Sequence, residues 1–108
     1  MDEIHHIHKL DSPSGTGLSL ANQIIENIDR KTQWTAGYEN NPENIAIHSR
    51  RIGMTPGTHG INYRSNIDTI EIKHTAHSRQ GFALGAVIAA EWMQDKKGYF
   101  TMKDVLGI

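Results

Sequence analysis

From Thr69 to Ala76 the sequence alternates without a break. Ile70, Ile72, His74 and Ala76 fall on one side, and Thr69, Glu71, Lys73 and Thr75 on the other. A period of two over eight residues is the pattern of a strand, and a strand needs neighbours for its backbone N–H and C=O groups. The nearest is Thr58 to Ser65, entered through Pro56-Gly57 and separated only by Asn66-Ile67-Asp68, which suits an antiparallel hairpin. Ile45 to Ile52 reads as a further strand, and Glu3 to His8 as a short one, with Ile4, His6 and His8 opposite His5 and Ile7. Between them Leu18, Ala21, Ile24, Ile25 and Ile28 recur at helical spacing behind Ser14 and Thr16, either of which can cap the helix. The polar run from Asp29 to Asn44 reads as a connection. The expected fold is α+β: a mixed sheet of about four strands with one helix packed on it. The first strand, its helix and the next strand are expected to form a right-handed crossover.

A second helix is predicted from Arg79 to about Lys97, opened by Ser78 and stopped by Gly98. It is rich in small residues (Gly81, Ala83, Gly85, Ala86, Ala89, Ala90). Thr101 and Asp104 have the spacing of a capping pair for a last short turn. The change of character puts a boundary near Ser78, giving residues 1–78 as one domain and 79–108 as a C-terminal helical segment. The 108 residues include no cysteine, so disulfides, thiolate metal sites and cysteine nucleophiles are excluded. A small domain without such staples relies on its core or on partner subunits. The net charge of −1 gives no electrostatic footprint for nucleic acid or an anionic membrane. No apolar run is long enough to cross a bilayer.

Titratable groups, chain breakers and a helix start are concentrated in HHIHKLDSPSGTG, His5 to Gly17. A helix N-terminus at Gly15 and Thr16 offers unpaired N–H groups and favours anions. Lys9 adds a full positive charge, and His5, His6 and His8 can donate or shuttle protons near neutral pH. Such a pocket suits a small ligand bearing carboxylates. Taken singly, each feature has a plainer reading: a loop and cap, a surface lysine, packed or solvated histidines. The same holds for His48, His59, His74 and His77.

As an ordered run, HHIHKLDSPSGTG resembles the H-H-x-x-K-x-D-A-P-S-G-T-A signature of the 4-hydroxy-tetrahydrodipicolinate reductases, with Ser12 and Gly17 where alanine is usual. SRRIGMTPGTHGI is similar to that family's loop and strand ending in P-G-T-x-G. HTAHSRQGFALGAVIAAEW and FTMKDVLG are similar to its later segments. The matches cover most of the chain and stand in the family's order. The resemblance implies an NADH- or NADPH-dependent reductase of lysine and diaminopimelate synthesis. Its small dicarboxylate substrate would sit in this C-terminal domain, and its cofactor would be held mainly by an N-terminal domain outside these residues. It further implies a cytoplasmic homotetramer assembled through the sheet. Carried over by position, His5 and Lys9 match the catalytic acid/base and the assisting proton donor. His6, Gly15 and Thr16 match substrate-binding positions, Phe82 a cofactor-contacting one, and Arg79 an interdomain hinge. The chain alone is expected to be inactive, for want of a glycine-rich phosphate loop.

Two other readings are open to the residues. A metal could sit on His6 and His8, completed by His74 or Asp11; the family resemblance implies none. A non-catalytic assembly domain is the other.

Overall fold

The computed structural model describes residues 1–108, which form two compact units, Met1–His77 and Ser78–Ile108. In the first unit the chain runs β1 (Asp2–His5), α1 (Gly15–Asn27), β2 (Gln33–Ala36), β3 (Asn44–Arg51), β4 (Gly57–Arg64) and β5 (Thr69–Ala76). The five strands make one mixed sheet in the order β2-β3-β1-β4-β5. β1 and β2 both run parallel to β3, and β1–β4 and β4–β5 are antiparallel.

The sheet has one strand more than the sequence predicts. Gln33–Ala36 lies in the segment expected to be a connection, and it is a strand because Trp34 and its neighbours pair with Asn44–Ile47. Four residues with one large apolar side chain carry no period, so tertiary pairing decides their conformation. The first strand is also shorter than expected. Its parallel pairing ends at His5↔Arg51. His6 to Lys9 then make a turn closed by Lys9 N–H donating to His6 O at 3.1 Å.

Helix α1 begins where Ser14 caps it: the hydroxyl accepts from Gly17 N–H at 3.1 Å. Thr16, the other candidate cap, is inside the helix. Ala21 packs with Ile45 and Ile47 of β3, and Leu18, Ile24, Ile25, Trp34 and Met1 lie against that cluster. Few hydrophobic residues are buried (Ala21, Ile45, Ile47 and Ile61), while Ile70 and Ile72 of β5 are exposed.

The second unit holds α2 (Gln80–Trp92) and α3 (Met102–Leu106). Helix α2 stops five residues before Lys97: the chain turns at Asp95, which has φ 64°, and at Gly98. Ser78 lies just ahead of the helix and accepts from Gln80 N–H rather than acting as its N-cap, which is Arg79. Thr101 and Asp104 form the expected capping box on α3, and Gly107 ends it in the left-handed region. Trp92 meets Phe100 edge-on at 5.2 Å, with Lys96 Nζ 4.2 Å from its ring. No helix is long and apolar enough to cross a membrane.

Candidate functional site

Strand alternation puts Glu3 and His5 on one face of β1 and Ile4 on the other. Glu3 is 1% exposed and His5 9%. A buried carboxylate is costly unless it is paired and hydrogen-bonded, and Glu3 is saturated with partners. Arg51 grips it with both terminal nitrogens, Nη1 to Oε2 at 3.1 Å and Nη2 to Oε1 at 3.0 Å. His5 Nδ1 lies 2.5 Å from Oε2. Ser14 N–H donates to Oε1 at 3.1 Å. These donors outweigh the burial that would otherwise raise its pKa, and the carboxyl is held below the usual carboxylate value.

Each branch of this network fixes one part of the site. Arg51 also donates to the main-chain oxygens of Lys9 (Nε, 3.3 Å) and Asp11 (Nη2, 2.6 Å), so the loop after β1 is tied down through the same guanidinium. Ser14 fixes the start of α1. Its hydroxyl accepts from Gly17 N–H and can give its own hydrogen to His59 Nε2, 3.0 Å away. That requires a neutral His59. Burial pushes its pKa down, against the opposing charge of Glu3. The rings of His5 and His59 meet edge-on at 5.0 Å.

The sequence-predicted residues fall as follows. His5, the Lys9 loop and the helix start at Gly15 and Thr16 are all anchored, directly or through one residue, to Glu3. Lys9 is partly buried, with Nζ 2.8 Å from Oδ1 of the more exposed Asp11. Gly15 and Thr16 are exposed in the first turn of α1, where N–H groups lack intrahelical acceptors. His6 is in the turn after β1, its ring 6.3 Å from that of His8. Phe82 and Arg79 belong to the second unit, Phe82 half-exposed on α2.

Glu3 and Arg51 are not among the sequence-predicted residues, and His59, read from the sequence as packed or solvated, joins them here. An acidic residue two positions from His5 on the same strand face is the signal for Glu3. Nothing local marks Arg51 or His59, because register alone brings them in: Glu3 pairs with His59, and His5 with Arg51. His74 is the next cross-strand neighbour of His59. His48 lies elsewhere, near Asp2 and against the Tyr38 ring.

The metal-capable groups that converge are Glu3, His5 and His59, each offering an atom within 4.8 Å of the others. They differ from the His6–His8 set read from the sequence. A cation there would meet the Arg51 guanidinium on both Glu3 oxygens and the Ser14 hydroxyl on His59. The donor set fits a hydrogen-bond network better than a metal. What the network does chemically is hold the His5 imidazole by one ring nitrogen and tie the loop that carries Lys9 and the start of α1 to the same buried carboxylate.

The family model "Dihydrodipicolinate reductase, C-terminus" matches residues 1–106. A 4-hydroxy-tetrahydrodipicolinate reductase from Christiangramia forsetii is 57% identical over 106 residues, 98% of this chain and 44% of that protein. One from Methanosarcina barkeri is 44% identical over 110 residues, again 98% of this chain and 41% of that protein. The chain thus spans less than half the length of these relatives. A solved dipicolinate-bound dihydrodipicolinate reductase from Paenisporosarcina sp. TG-14 superposes with a TM-score of 0.62 at 26% identity, over 81% of this chain and 36% of its own.

Proposed function

This chain belongs to the dihydrodipicolinate reductase C-terminal family, and we propose that it is the substrate-binding part of a 4-hydroxy-tetrahydrodipicolinate reductase. The whole enzyme would reduce a cyclic imine dicarboxylate to tetrahydrodipicolinate with NADH or NADPH, in the cytoplasm, on the route to diaminopimelate and lysine. One observation carries the reading: His5, the Lys9 loop and the start of α1 are all tied to the buried carboxylate of Glu3. The dipicolinate bound to the Paenisporosarcina reductase is a ligand of the chemistry this arrangement suits.

The nicotinamide, held mainly by residues outside this chain, supplies hydride when bound. The chain's own residues bind, orient and protonate. Gly15 and Thr16 hold a substrate carboxylate with N–H and hydroxyl donors, oriented in advance by the helix start. His6 contributes to the same binding. Lys9 exchanges Asp11 for the substrate and polarises it. His5 gives the proton that balances the added hydride, a contribution of about 10²–10⁴-fold in rate. Phe82 is a cofactor contact in this reading. The working form is a homotetramer joined through the sheet, in keeping with the small core and the exposed edge strand β5.

The test uses the enzyme with its cofactor domain. His5→Ala and Lys9→Ala should each lower kcat by about 10²–10⁴-fold while circular dichroism stays unchanged. Near-normal turnover in both variants would remove their assigned roles. The 108-residue chain alone should give no turnover with either nicotinamide.

A further inference from the structure

We propose that Glu3 is the positioning residue of this site: its carboxylate holds His5 by Nδ1–H, fixes the ring tautomer and leaves Nε2 as the nitrogen that exchanges a proton with the ligand. The proposal rests on the reading of His5 as the acid/base group.

A carboxylate oxygen can only accept, so at 2.5 Å from Glu3 Oε2 the Nδ1 atom of His5 must carry the hydrogen. Which ring nitrogen of a histidine carries the hydrogen is set by the bond the other one makes. The neutral ring is therefore the Nδ1–H form, with its free electron pair on Nε2. When the imidazolium gives up the Nε2 proton, the N–H electron pair stays on Nε2 and this same neutral form remains. The ring does not have to turn or exchange tautomers between turnovers.

Glu3 is also placed as an orienting group should be. It is immobile, because Arg51 clamps both oxygens and Ser14 N–H adds a third donor. It is two residues from His5 on one strand face, so the separation of the two groups is set by strand geometry rather than by a loop. Burial of a charge beside the small core makes little sense as packing, since an apolar residue would fill the place at lower cost. The competing use of the same atoms is a metal site on Glu3, His5 and His59. It would require the guanidinium to leave both Glu3 oxygens.

The deciding measurement is a long-range ¹H–¹⁵N correlation of the imidazole side chains in the 108-residue chain, at a pH where His5 is neutral. The expected result is His5 in the Nδ1–H tautomer. An Nε2–H ring, or the rapidly exchanging mixture of free histidine, would overturn the proposal even if no variant folds. In Glu3→Gln, His5 should lose the fixed tautomer. In the enzyme with its cofactor domain that variant should lower kcat by about 10²-fold, with KM changed only a few-fold. Wild-type kcat in a folded Glu3→Gln enzyme would contradict it. Stoichiometric zinc binding by the wild-type chain, with shifts at His5 and His59, would also overturn it and make the cluster a metal site. Failure here is distinct from failure of the acid/base reading: the tautomer is read without turnover, whereas the acid/base role falls only if His5→Ala turns over normally.

Discussion

At the scale of single residues, the network around Glu3 makes the fold sensitive to acid. Glu3 is held below its ordinary carboxylate value by Arg51 and its other donors, and His59 below its ordinary imidazole value by burial. Both groups bind protons more weakly folded than unfolded, so each adds stability at neutral pH that is lost as pH falls. The loss from His59 begins below about 6.5, the usual imidazole value. The loss from Glu3 follows below 4.5, the usual carboxyl value. Urea midpoints measured from pH 7 to pH 3 should therefore decline in two stages, and His59→Asn should flatten the first and leave the second. A midpoint independent of pH down to about 4 would contradict the network. The candidates His5, His6, Lys9, Gly15 and Thr16 are drawn from the sequence because they lie in one short run. Glu3 was within reach of the same reasoning, since strand alternation links it to His5. Arg51 and His59 were not, because they are 46 and 54 positions beyond His5 in the sequence and join it only through strand register.

At the scale of elements, legibility followed periodicity. Thr69–Ala76 alternates cleanly and is a strand over those residues, and the hairpin with Gly57–Arg64 follows from the short link. Gln33–Ala36 has no period, and its pairing with β3 makes it a strand. The junction of β1 and α1 is where sequence and site meet. Gly17 stands in the first turn of α1, where a Cβ would lie 3.2 Å from Ser14 Oγ and 3.8 Å from Glu3 Cγ. Alanine there gains about 1 kcal/mol of helix propensity, but Ser14 Oγ must yield a few tenths of an ångström while still serving Gly17 N–H and His59. Gly17→Ala should accordingly change stability by less than about 1 kcal/mol, by thermal unfolding. A loss of more than about 2 kcal/mol, the size of a fully lost cap, would mean that Ser14 cannot shift.

At the scale of the whole molecule, the chain buries little. Ala21, Ile45, Ile47 and Ile61 are its buried apolar side chains, while Ile70 and Ile72 on β5, and Leu84, Val87 and Ile88 on α2, are about half exposed. A domain without disulfides that exposes this much apolar surface is expected to cover it by association. Light scattering on the chain at micromolar concentration should give a species larger than a monomer, and a clean monomer would count against assembly through the sheet. The central claim, however, is the ligand site, and titration with pyridine-2,6-dicarboxylate tests it most directly. The charge of Lys9 and the free N–H groups of Gly15 and Thr16 should bind this dicarboxylate weakly even without a cofactor domain, with charge-assisted bonds of roughly 1.5–3 kcal/mol each in a site open to water. The amide signals of Gly15 and Thr16 should shift saturably, together with the His5 ring, and the response should be lost in Lys9→Ala. No shift at millimolar ligand, or shifts scattered over the surface and unchanged in Lys9→Ala, would contradict the assignment.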